Sequence, residues 1–232
     1  PQTSKLDYAR RLYIERARSM KPLQDFDYTQ ATQAQMLAQA EALLTAAVTN
    51  RHMAFHTPVL ITSGQDGWPE GRTVVLRSFD ASTRRLRCHV DHRSAKVAAI
   101  ARDPRIGWVF YDPALKWQIR LWARAALHHI DQVAQAAWQD SQRMSRICYG
   151  TEPAPGSVIE HGDGFALPQT DQHIARGENN FVALLTQYHR LEALWLGHKG
   201  HRRLRCTWQS CDDGAGSEQA GAHPPVMEWL AP

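Results

Sequence analysis

The sequence has little of what usually settles a function by motif. Its four cysteines, Cys88, Cys148, Cys206 and Cys211, include no CxxC pair. That argues against a structural zinc site, and reduced thiols in a cytosolic protein are the simpler reading. No apolar run reaches the roughly 18 residues that a membrane span needs. The opening PQTSKLDYARRLYIERARSM has no apolar core of the kind a signal peptide carries. No GxGxxG follows a strand, so a Rossmann dinucleotide site has no support. GxSxG and HExxH are absent as well, and no catalytic triad has a credible signature. The 12 histidines are scattered; His128–His129 and the pair His198 and His201 are weak evidence for a metal. Strong charge is missing too: 27 Lys+Arg face 23 Asp+Glu, a net +4. A dedicated nucleic-acid binder would carry a dense basic stripe. A balance this close leaves room only for a local basic pocket that holds a small anion. Neither an internal repeat nor a Gly/Ser-rich linker interrupts the middle of the 232 residues, a length that suits one or at most two domains.

What is present is a chain of short strands. Residues 29–50 are rich in Ala, Leu and Gln, with Met36, Leu37, Leu43 and Leu44 at helical spacing, and read as a helix packed on the body. PVLITS (58–63) and RTVVLRSF (72–79) read as a hairpin across the turn-rich GQDGWPEG. RLRCHV (85–90) is the next strand. A short helix follows over 94–103, with Ser94 at its N-cap and Pro104 after it. RIGWVFYD (105–112) and 116–130 read as strands, and 131–149 as a helix capped by Asp131. Residues 150–180 read as one long loop, and loops of that length are usually functional or disordered. Residues 179–196 make a strand pair or one long strand, and HRRLRCTWQS and PPVMEWLAP close the chain as strands around a loop at 211–225. Seven to eight hairpin-connected strands with helices outside predict an α+β fold, an antiparallel barrel with peripheral helices.

The stretch GRTVVLRSFDASTRRLRCHVDHRSAK (71–96) carries the chemistry. It places Arg72, Arg77, Arg93 and Lys96 on two strands and the start of a helix. Free backbone N–H groups at that helix start favour an anion, so a phosphate near Arg93, Ser94 and Lys96 is chemically sensible. Arg72 and Arg77 are five apart, so a regular strand would point them to opposite faces. Gln118 sits inside the apolar WQIRLW, and an amide there matches the edge of a pyrimidine or flavin ring. HRRLR (201–205) reads either as a charged edge strand that discourages aggregation or as a second phosphate-binding strand.

The ordered set is RTVVLR, HRSAK, DPRI, WQIRL, PAPG, LEALWL with HRRLRC, and a terminal EWLAP. Over about residues 55–232 it resembles the pyridoxamine 5′-phosphate oxidase-like, FMN-binding split-barrel family. The resemblance implies a split β-barrel over 1–232, with an N-terminal helical extension at 1–54. It implies FMN as cofactor, held in the groove of a homodimer in the cytoplasm, away from nucleic acid and membrane. It gives Arg72, Thr73, Val74, Val75 and Leu76 as the strand lining FMN, and His89 and Val90 as the strand beside it. Ser94 and Lys96, with Arg93 nearby, grip the phosphate, because Ala95 stands where the family usually has Arg. Gln118 meets the flavin ring, and Gly156 and Ser157 belong to a loop reaching FMN from the partner subunit. Trp195 and Arg205 complete the cofactor set. Arg77, Arg143, Ser145, Tyr149, Arg202 and Arg203 are the implied contacts to a small, anionic substrate.

The C-terminal hairpin departs from the oxidases. Leu194 takes the place of their flavin-contacting Trp, with Trp195 one step later, and Arg202-Arg203-Leu204 replaces their Arg-x-His. The implied activity is therefore flavin-dependent oxidation or reduction of an unidentified small molecule. Three rivals stand beside it: a genuine pyridoxamine/pyridoxine 5′-phosphate oxidase, a non-catalytic flavin carrier or sensor, and a barrel that holds haem or F420.

Overall fold

A computed structural model of the chain describes residues 27–198, 200–209 and 224–232. Apolar side chains recur at helical spacing in α1 (Gln33–Thr49), which buries Met36, Ala40, Leu43, Leu44 and Ala47. Thr32 and Gln35 close its first turn as a reciprocal capping box. The buried stripe lies in one core with Trp108, Phe110, Ile119, Leu121, Leu191 and Leu204. α1 therefore packs on the body of the barrel, as its apolar spacing predicts. Residues 1–26 of the expected N-terminal extension lie outside the described residues.

Nine strands form one antiparallel sheet among the described residues. β1 (Val59–Ser63) and β2 (Pro69–Thr73) are the expected hairpin. Gly67, at φ +85°, supplies the left-handed residue of their turn. β3 (Ser78–Asp80), β4 (Arg85–Asp91), β5 (Arg105–Asp112) and β6 (Trp117–His128) follow, with α2 (Ala95–Arg102) between β4 and β5. β7 (Phe181–Trp195) is one unbroken strand. β8 (Arg202–Thr207) and β9 (Val226–Leu230) end the sheet.

The order β2-β1-β5-β6-β7-β4-β3 brings the two ends of the path together in sequence, but β2 and β3 do not pair. β7 makes the split. Its residues 181–187 pair with β4 and its residues 190–195 pair with β8, while β6 runs alongside both halves. A bulge between Trp122 and Ala123 lies opposite the fork. The architecture is therefore a mixed α+β, antiparallel split barrel whose sheet is not closed.

Four expectations change. RTVVLRSF is not one strand, because residues 74–77 leave the ladder between β2 and β3. The helix expected over 131–149 is interrupted: α3 (Gln132–Gln139), capped by Asp131, stops before α4 (Arg143–Arg146) and a 3₁₀ turn at Ile147–Gly150. The loop at 150–180 contains α5 (Asp171–Arg176) and a further 3₁₀ turn, and an isolated bridge pairs Glu152 with Ala166. β8 pairs with both β7 and β9, so HRRLR is not an edge, and its arginines have other work. No described helix is long and apolar enough to cross a membrane. Cys211 and most of the loop at 211–225 lie outside the described residues.

Candidate functional site

The site grows from the break at residues 74–77. Val74 donates its N–H to Pro58 O (3.0 Å) and Leu76 to His56 O (2.9 Å). Arg77 then turns to the far side and donates to Arg87 O on β4 (2.8 Å). Because this segment is not a regular strand, the alternation inferred from a five-residue spacing does not apply. Arg72 and Arg77 line the same cavity, of about 350 Å³. Thr73, Val74, Val75, His89, Val90 and Lys96 line it as well, and Ser145, Cys148, Tyr149 and Pro155 come from the far wall.

The cavity is cationic because its acid is already engaged. Asp91 also lines it, but both carboxylate oxygens accept from Arg93, from Nε at 3.0 Å and from Nη2 at 2.9 Å. Arg93 further donates to Glu152 (2.8 Å) and to the carbonyls of Tyr149 and Thr151. Arg93 thus ties the 149–152 segment over the cavity and is not one of its lining residues. Ser94 is buried, and its hydroxyl donates to Asp91 O (2.6 Å) instead of capping α2.

Three positive groups remain. Arg72 donates to Thr62 Oγ1 (2.7 Å) and pairs with Glu70 at the rim. Lys96 is pushed below its ordinary pKa, first by burial and then by the charge of Arg72. An anion between the two would offset the shift by placing opposite charge beside both. At the other end Arg77 donates from Nη2 to Ser145 Oγ (3.2 Å), while its buried Nε has no partner among the described residues. His89 lies edge-on to Phe181 at 4.7 Å, with Nδ1 3.5 Å from Ser141 Oγ. Its Nε2 is buried and unpartnered among the described residues. Burial, then the charges of Arg77 and Arg87, hold the His89 pKa down at about 3. His89 is therefore a neutral imidazole at physiological pH. Orphaned polar atoms in a positive cavity are what a bound anionic, hydrogen-bonding ligand would satisfy.

Other implied site residues lie elsewhere. The side chain of Leu76 is fully buried in the core. Gln118, Leu194 and Arg203 form one row across β6–β8, and Arg120, Glu192 and Arg205 form another on the same face. Trp195 pairs with Trp117 on the opposite face and packs on Tyr28 at 4.8 Å. It shares no face with Gln118, and the one-residue offset of the hairpin is the reason. Arg202, on that same inner side, donates to Thr29 O (2.7 Å). Arg203 and Arg205 both donate to Glu192, at 2.8 and 3.0 Å. Burial pushes the Glu192 carboxyl up, but these two hydrogen bonds outweigh it and hold the pKa below the ordinary value. Arg143 is exposed and pairs with Asp171. Gly156 and Ser157 line a neighbouring cavity of about 290 Å³ within their own chain.

Sequence reasoning missed Cys148, Pro155 and the neutralising role of Asp91. The spacing Asp-x-Arg at 91–93 is a local signal for the last. For the first two no local signal exists, because the 3₁₀ turn at Ile147–Gly150 brings in Cys148 and the loop that folds back after it brings in Pro155.

Residues 37–129 match the family model described as "Pyridoxamine 5'-phosphate oxidase, FMN-binding domain". A protein of Arabidopsis thaliana, pyridoxine/pyridoxamine 5′-phosphate oxidase 2, is 30% identical over 129 residues, which is 50% of this chain and 63% of that protein. The pyridoxine/pyridoxamine 5′-phosphate oxidase of Thermobifida fusca is 43% identical over 61 residues, 26% of this chain and 27% of that one. The chain therefore spans less than two thirds of the curated relatives it matches. A crystal structure of a pyridoxamine 5′-phosphate oxidase-related, FMN-binding protein from Nostoc punctiforme superposes with a TM-score of 0.61 at 20% identity, covering 88% of this chain and 100% of that one. This likeness carries the split-barrel fold.

His89 makes the site visible in stability. Its folded pKa of about 3 lies below the unfolded value of 6.5. As pH falls below 6.5 the unfolded chain takes up a proton that the folded chain refuses, so stability drops between pH 6.5 and 3. The slope from this group approaches about 1.4 kcal/mol per pH unit. Urea unfolding of the wild type and His89→Gln across that range is expected to show a shallower acid limb in the variant. Parallel limbs would mean that His89 is already solvated.

Proposed function

We propose that this chain, whose residues 37–129 match the pyridoxamine 5′-phosphate oxidase FMN-binding domain and whose fold is that family's split barrel, binds FMN and is a flavin-dependent oxidoreductase acting on a small, anionic molecule. One observation carries the reading. Arg72 and Lys96 stand together in a cavity whose acid, Asp91, is already paired, and both fall within the matched segment. A phosphate there would accept charge-assisted hydrogen bonds from both and restore the Lys96 pKa.

FMN, when bound, supplies the two-electron redox chemistry. The chain's part is to bind, orient and shield. Arg72 and Lys96 would hold the phosphate, with Thr73, Val74, Val75 and Val90 as the wall along the cofactor. His89, fixed as a neutral imidazole, would offer its Nε2 to a hydrogen-bonding group of the cofactor without adding charge. Arg77, braced by Ser145 and near Tyr149, would hold the acidic group of the substrate. Arg93 serves by neutralising Asp91 and clamping the 149–152 segment, a role different from a direct phosphate contact.

Gln118, Arg203 and Arg205 do not line this cavity but share the outer sheet face. We read that face as the contribution of a second copy, so that the working unit is a homodimer. The chain itself we read as one domain. Trp195 and Arg202 are outside this proposal, because they sit on the α1 side of the sheet.

The second reading, pyridoxamine or pyridoxine 5′-phosphate oxidation, draws on the names of the matched relatives. Against it, Arg203 is held by the buried Glu192, and Leu194 takes the outer-face position beside Gln118. A pocket without an aligned partner for the pyridine ring places the reacting carbon poorly, and small displacements cost large factors in rate.

Three outcomes are expected. Lys96→Ala weakens FMN binding by about 1.5–3 kcal/mol, measured by titration of the FMN-free protein, and leaves the barrel folded. An unchanged affinity would place the phosphate elsewhere. In sedimentation the FMN-loaded protein runs at twice the chain mass, whereas a monomer with stoichiometric FMN would contradict the shared site. Steady-state turnover on pyridoxamine 5′-phosphate is weak or absent. Robust formation of pyridoxal phosphate in step with hydrogen peroxide would promote the second reading.

A further inference from the structure

The cationic cavity does not end at its far wall. Cys148 and Pro155 line it, and the same two residues line the cavity of about 290 Å³ beside it. This second chamber is walled by Pro153, Ala154, Ile159 and Phe165, so it is apolar where the first is charged. It is also a built feature. The loop that forms it is closed at its base by a reciprocal backbone pair, Glu152 N–H to Ala166 O at 3.0 Å and Ala166 N–H to Glu152 O at 2.6 Å. A turn with Ser157 N–H on Ala154 O (3.1 Å) shapes its tip. Arg93 anchors the base to the first cavity through Glu152 and Thr151 O. At the junction Cys148 Sγ lies on Ser145 O (3.1 Å), and Ser145 is the residue that braces Arg77.

We propose that the two chambers form one substrate channel, selective for an elongated amphiphilic anion: an acidic group on Arg77 and Ser145, and an apolar or aromatic body passing Cys148 and Pro155 into the annex. The inference rests on the reading of the cationic cavity as the FMN and substrate site. It adds the class of substrate. A single anion would fill only the first chamber and leave Ile159 and Phe165 facing water. An apolar body there buries surface at the usual gain per area. Charge supplies the orientation, because the acids near the junction, Asp91 and Glu152, are both paired with Arg93.

The test uses the full chain loaded with FMN, with flavin content read separately by absorbance. Three probes are titrated by calorimetry: benzoate, biphenyl-4-carboxylate, and neutral biphenyl-4-methanol. Biphenyl-4-carboxylate is expected to bind at least about tenfold tighter than benzoate, as burial of a second ring implies. It should also bind at least about tenfold tighter than the neutral analogue, since that lacks the charge-assisted bond to Arg77. Phe165→Asp, at a half-exposed loop position, and Ala154→Trp, which fills the annex, should each bring the two carboxylates to within about threefold. Neither should change benzoate affinity or flavin content. Equal binding of the two carboxylates by the wild type would overturn the proposal. So would a preference that survives both variants, or a neutral probe that binds as tightly as the acid. Loss of flavin uptake with the length preference intact would instead overturn the FMN reading and leave the channel standing.

Discussion

The pairing of Arg93 with Asp91 is the interaction on which the rest of the site depends. Asp91 ends β4 and is nearly buried, in a place where an unpaired carboxylate would cancel the positive charge beside it. Arg93 engages both of its oxygens and goes on to bind Glu152 and the carbonyls of Tyr149 and Thr151. One side chain therefore sets the sign of the cavity and fixes the segment that walls it. Charged pairs this buried contribute little net stability, and breaking one is costly. Their value is in specifying geometry. Here the geometry is a positive cavity with a stapled loop over it.

The irregular segment at 74–77 is the second constraint. A barrel of this size could be closed by pairing β2 with β3. Instead the chain leaves one ladder at Val74 and joins another at Arg77, and the gap is where the cavity opens. The fork of β7 between β4 and β8 is a second departure from a closed ladder, in the interior of the sheet.

Much of this was legible in the sequence. RIGWVFYD and the segment around WQIRLW read as strands and are β5 and β6, and Asp131 marked a helix start by capping chemistry. The cluster of Arg72, Arg77 and Lys96 was visible as charge inside an apolar hairpin. What was not legible came from tertiary placement. A strand break has no residue signature in RTVVLR, so Arg72 and Arg77 looked opposed. Arg93 looked like a phosphate ligand because Glu152 and the carbonyls of Tyr149 and Thr151, which help to occupy it, lie more than fifty residues away; only Asp91 is local. Trp195 looked available until its register with Trp117 set it against Tyr28. HRRLR looked like an edge or a phosphate strand, yet Arg203 and Arg205 are held by Glu192 on the neighbouring strand β7, a pairing that only the hairpin register reveals.

The outer face of β6–β8 carries a buried carboxylate between arginines, and the cavity carries arginines and a lysine around an occupied carboxylate. In both places the basic side chains outnumber the acids they engage, so positive charge is left over. That surplus at Arg72 and Lys96 is the account's central claim, and comparing FMN with riboflavin tests it most directly. The two share a ring system and differ in the phosphate. Titrated into the FMN-free protein at moderate salt, FMN is predicted to bind at least about 100-fold more tightly, as two charge-assisted contacts imply. Equal affinities would contradict the account, because the cationic cavity would then have no phosphate to hold.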